Sequence, residues 1–93
     1  MSIERCHYCQ TPVIPPDEIG AALRALGPEA TLDQATAVRR RMRVIDHKTP
    51  LAHGGSNRRG NRVVACSHCN SRKGSRPYLD FLFATWHSES MSA

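Results

Sequence analysis

The chain has 93 residues and a formal net charge of +5, which fits one small domain whose apolar core alone is marginal. No apolar run approaches the roughly 18 residues of a membrane span, so no membrane role is expected, and the surplus of Lys and Arg points to a polyanionic partner. Met1-Ser2-Ile3-Glu4-Arg5 lacks the apolar run of a secretory signal, so a reducing, cytoplasmic setting is expected.

In chain order, Cys6-His7-Tyr8-Cys9 fits a tight turn that presents two thiols, with Tyr8 packing and His7 exposed. Pro12, Pro15 and Pro16 then forbid regular structure. A helix is expected over 17–26, with Ile19, Ala22, Leu23 and Leu26 facing the core, stopped by Gly27-Pro28. Thr31 can cap a second, short helix through Val38, or the segment can be a loop. Arg39, Arg40, Arg41 and Arg43 form a basic run, readable as a solvated face or as a phosphate contact.

Met42 to Ile45 reads as a strand delivering Asp46 and His47, which must diverge to opposite faces unless the strand kinks. A polar loop with Thr49-Pro50 and Gly54-Gly55 runs to Gly60, and a second strand over 61–65 enters Cys66-Ser67-His68-Cys69. The residues from Ser67 or Asn70 to Lys73 suit a short helix that Gly74 ends. A last helix over 78–87 carries Leu79, Leu82, Phe83 and Trp86 as an expected core stripe, and the chain is expected to fray from Ser88.

The four cysteines form two Cys-x-x-Cys pairs, Cys6/Cys9 and Cys66/Cys69, a set suited to a structural zinc in a reducing compartment. Residues 10–65 separate the pairs, too many for a compact ribbon. The ion is therefore expected to clamp the N-terminus onto the end of the second strand. A redox dithiol is the weaker reading, since neither pair follows a thioredoxin-like strand.

Asp46-His47, Pro50, Gly54-Gly55, Asn61, Cys66-x-x-Cys69-Asn70 and Lys73-Gly74 together resemble the HNH endonuclease family, in its zinc-knuckle branch. The resemblance covers residues 6–9 and 43–77. It implies an α+β fold, a small ββα-metal (His-Me) finger with a Cys₄ zinc and flanking helices. Residues 1–93 then form a single nuclease domain, with zinc knuckles at 6–9 and 66–69, a ββα core over about 42–74, a helical insertion over about 17–40 and a C-terminal helix over about 78–87.

The implied activity is metal-dependent hydrolysis of DNA phosphodiester bonds. His47 suits a general base, because an imidazole exchanges protons near neutral pH. The resemblance gives Asn61 the task of orienting that ring. Asp46 and Asn70 are oxygen ligands for Mg²⁺ or Mn²⁺. Asn70 stands where the family name has a final His, so the motif reads His-Asn-Asn, and an amide oxygen favours a hard cation. Arg43, Lys48, His53, Arg62, Arg72 and Lys73 are expected at phosphates, which give affinity without base reading. Duplex DNA with weak sequence preference is the expected partner, beside a phage, restriction or repair protein. A zinc-stapled DNA-binding module with a silent or partner-dependent centre is the alternative, and an RNA-directed or toxin-like nuclease is a third reading.

Overall fold

The computed structural model describes residues 3–92, and side chains through residue 86. Its centre is an antiparallel hairpin of β1 (Arg43–His47) and β2 (Arg62–Cys66), followed directly by α3 (Ser67–Lys73). The register sets Asp46 opposite Val63 and His47 opposite Arg62. Before the hairpin lie α1 (Ile19–Ala25) and α2 (Leu32–Arg40), and α4 (Tyr78–Ser92) closes the chain. Among the described residues no helix is long and apolar enough to cross a membrane.

Local chemistry accounts for the boundaries. Thr31 and Gln34 form a reciprocal capping box at the start of α2: the Thr31 hydroxyl accepts from Gln34 N at 3.1 Å, and Gln34 Oε1 accepts from Thr31 N at 2.9 Å. This satisfies two of the donors that a helix start leaves orphaned, and it decides between helix and loop for this segment. At the far end of the hairpin the helix begins without a linker. Cys66 caps α3 through its own sulfur, which accepts from Cys69 N at 3.4 Å.

The N-terminal turn docks on β2, where His7 N donates to Val64 O at 2.8 Å. The core therefore gathers around this turn: Cys6, Tyr8, Val13, Ala65, Cys66, Cys69, Phe81 and Leu82 are buried together.

Three expectations change here. The first helix has no buried residue; Ile19, Ala22, Leu23 and Leu26 are only half-covered, and the helix packs beside α2 rather than into the core. The core stripe on α4 is displaced. Leu79, Phe83 and Trp86 are exposed, whereas Phe81, Leu82 and Thr85 are buried. Apolar residues surround this helix, so two faces have helical spacing. The one used is that which meets Tyr8, whose ring lies edge-on to Phe81 at 4.9 Å. Third, α4 runs past the expected fraying point to Ser92; the side chains there lie outside the described ones.

Phe81→Ala is expected to cost about 3–5 kcal/mol, whereas Leu79→Ala stays within about 0.5 kcal/mol of the parent. Chemical denaturation of the zinc-loaded protein measures both, and the reverse order would restore the original stripe.

Candidate functional site

The four cysteines converge. Their sulfurs lie within 4.8 Å of one another, and Cys9 Sγ is 3.9 Å from Cys66 Sγ. A tetrahedron with metal–sulfur bonds of about 2.3 Å has sulfurs about 3.8 Å apart, so the set is compatible with a structural zinc. Its protonation chemistry agrees. The hydrogen bond from Cys69 holds the Cys6 thiol well down, at about 4, while burial pushes Cys66 up to about 11. The same bond to Cys6, together with burial, pushes Cys69 up. Zinc takes cysteine as thiolate, so loading of the set would release protons. Among the described residues this is the one cluster of three or more His, Cys, Asp or Glu side chains suited to a metal.

The end of β1 divides its two polar residues between faces, as strand alternation requires. Asp46 points inward and is 6% exposed. Its Oδ2 accepts a hydrogen bond from the Tyr8 hydroxyl and faces Lys73 Nζ at 3.3 Å. Burial, and then this bond to Asp46, pushes the Tyr8 phenol well up, which keeps it a donor. Lys73 is 1% exposed, and its ammonium also donates to the His47 carbonyl at 3.0 Å. Lys73 is thus removed from the residues expected at phosphates, since an ammonium this deeply buried and doubly bonded cannot meet a nucleic-acid backbone.

His47 is half-buried on the other face, and its Nε2 donates to Asn57 Oδ1 at 2.7 Å. A carboxamide oxygen only accepts. In this arrangement the neutral ring carries its proton on Nε2 and keeps the Nδ1 lone pair. Asn57 was not singled out in the sequence, where it is one polar residue in a polar loop. The only signal for it is its place in the loop that the hairpin must fold over His47.

Asn61 does something other than touch that ring. Its Oδ1 accepts from Thr49 N at 2.8 Å, and its Nδ2 donates to Thr49 O at 3.1 Å and Ser56 O at 2.7 Å. The carboxamide pairs with Thr49 as a peptide group would, and the Asn61 carbonyl accepts from Lys48 N at 2.8 Å. Asn61 therefore clips the loop shut one rung beyond the sheet. The ring-orienting contact assigned to it belongs to Asn57. Gly55 completes the loop, because a Cβ there would lie 1.8 Å from Thr49 O.

Asn70 and Lys73 are one turn apart on the same side of α3. Asn70 itself is half-buried. Lys48 lies over the Tyr78 ring at 5.2 Å. His7, expected to be exposed, is half-buried, stacked on Tyr78 and hydrogen-bonded to its hydroxyl at 2.6 Å. Arg43 is paired with Glu4 at 3.5 Å. His53, Arg62 and Arg72 are exposed, and His68 is half-buried on α3.

A two-stranded hairpin with a long clipped loop, followed at once by a helix, together with a four-cysteine cluster, is consistent with the ββα-metal finger fold. Residues 36–76 match the family model described as HNH endonuclease. No curated protein and no solved structure gives a match.

Elemental analysis of the purified protein is expected to find one zinc per chain. Site energies in finger peptides are on the order of 10–16 kcal/mol, above the stability of most small domains, so exhaustive chelation should abolish the cooperative melt. An unchanged melt in metal-free protein would remove zinc from the structural account.

Proposed function

We propose that this protein is a metal-dependent endonuclease that hydrolyses DNA phosphodiester bonds, with His47 as general base. The observation that carries this reading is the His47 ring at the end of β1, held at Nε2 by Asn57 with Nδ1 left as the acceptor, inside the segment that matches the HNH family. Nδ1 takes the proton of the water that attacks phosphorus. Asn57 keeps the ring in the productive tautomer, and Asn61 keeps Asn57 in place by closing the loop.

Asp46 and Asn70 are the residues that hold the divalent cation, Mg²⁺ or Mn²⁺. Asp46 Oδ2 is committed to Tyr8 and Lys73. Oδ1 has no hydrogen-bond partner and is not fully buried, which leaves it available as a ligand. One carboxylate oxygen, one carboxamide oxygen and solvent make a donor set suited to a hard cation that retains waters. When bound, such a cation supplies charge stabilisation at the scissile phosphate and the departing oxygen.

The exposed Arg62, opposite His47 in register, and the exposed Arg58, Arg59 and Arg72 neutralise flanking phosphates. Contacts of this kind do not read bases, which supports weak sequence preference. The cysteine set is the zinc knuckle that anchors the first residues against the hairpin.

Plasmid nicking with Mg²⁺ or Mn²⁺ tests the reading. His47→Ala is expected to lower the rate roughly 10²–10⁴-fold, and nicking that survives the change would remove His47 as base. Asn57→Ala is expected to lower kcat about tenfold with KM little changed, while Asn57→Asp, which keeps an acceptor toward Nε2, retains more activity. Binding to duplex DNA without any nicking in the parent protein would favour the silent DNA-binding module.

A further inference from the structure

Lys73 is the most deeply buried charge among the described residues, and the mechanism above gives it no step. Its side chain has no solvent exposure, and that of Asp46 is 8% exposed. An ammonium in such surroundings is stable only beside an anion and hydrogen-bond acceptors. It has both: Asp46 Oδ2 at 3.3 Å and the His47 carbonyl at 3.0 Å. Asp46 is also the only anionic member of the proposed cation site, so one carboxylate serves two cations of different origin.

We propose that Lys73 is a built-in counter-ion that holds the charge of Asp46 in the metal-free protein and competes with the divalent cation for that carboxylate. This rests on the reading that Asp46 is a cation ligand. Two positive charges sharing one carboxylate in a poorly solvated site repel each other more strongly than they would in water, so the ammonium weakens cation binding. The bond to the His47 carbonyl limits where the ammonium can go. It remains tethered at the end of β1 when its hold on Oδ2 loosens. Lys73 is thus a positioning residue: it reaches the proposed base and the proposed ligand only through their protein atoms.

Titration calorimetry of the zinc-loaded protein with Mn²⁺, without DNA, tests this apart from any activity. Lys73→Met is expected to bind Mn²⁺ roughly tenfold or more tightly than the parent, and Asp46→Asn to lose binding. Unchanged or weaker binding by folded Lys73→Met, with binding still lost in Asp46→Asn, overturns the counter-ion role and leaves the cation site standing. Binding that survives Asp46→Asn overturns the cation site and this inference with it.

Should Lys73→Met fail to fold, the parent protein gives the answer. Its buried Lys73 ammonium is shielded from exchange and observable by nitrogen-edited NMR. Saturation with Mg²⁺ is expected to shift that resonance. A resonance that stays fixed while the Asp46 carboxylate signal moves overturns the competition.

Discussion

Three separated pieces of chain meet at the carboxylate of Asp46: the N-terminal turn through Tyr8, the first strand of the hairpin, and α3 through Lys73. A buried carboxylate is costly unless it is paired and hydrogen-bonded, so the fold must deliver both partners or lose Asp46 from the interior. Both partners depend on the cysteines. Tyr8 stands between Cys6 and Cys9, and Lys73 ends the helix that Cys66 caps and that carries Cys69 in its first turn. The cysteine cluster thus acts on the proposed site indirectly, by fixing the two groups that fix Asp46. A buried pair of this kind is weak support for net stability. Its consequence is positional, since it allows one arrangement of turn, strand and helix.

The rest of the molecule is arranged around that junction in decreasing order of commitment. Phe81 and Leu82 of α4 cover Tyr8, and Trp86 Nε1 donates to the Tyr8 carbonyl at 3.2 Å. The last helix therefore serves as a lid over the cysteine turn. By contrast, α1 and α2 bury nothing completely and are joined to the hairpin chiefly through the backbone around Ile14 and Met42. α2 also packs against α3, the helix that carries Lys73.

The sequence made legible what depends on spacing and local chemistry. The two strands, the loop between them and the helix after Cys66 all stand within a residue or two of where patterning placed them. Thr31 caps its helix, and the cysteines converge across the fifty-odd residues that separate them. What stayed hidden was decided by tertiary choice. The last helix offered two apolar faces, and only the position of Tyr8 selects one. Lys73 carried the marks of a phosphate contact because a cation in a basic stretch is normally solvated; its burial follows from Asp46 pointing inward at that place. Asn57 left no mark, since the reach of a loop carboxamide over a strand end depends on how the loop closes.

That closure bears most on how the chemistry is divided. Asp46 and His47 are neighbours in sequence, yet strand alternation hands them to different supports. Asp46 is held from inside by Tyr8 and Lys73, and the His47 ring from outside by Asn57. The inner support is buried and tied to the cysteines. The outer one is an exposed loop held by the Asn61 clip and by Gly55, whose missing Cβ lets Thr49 approach. Among the described residues, Lys73 is the one side chain with a polar bond to both, through the carboxylate of one residue and the carbonyl of the other. On the proposed reading, the ligand and the base can be altered separately from either side, and only Lys73 couples them. A coupling that runs through a backbone carbonyl and a carboxylate needs no movement of the imidazole. Charge at Asp46 can therefore be felt at the end of β1 while the ring keeps its tautomer.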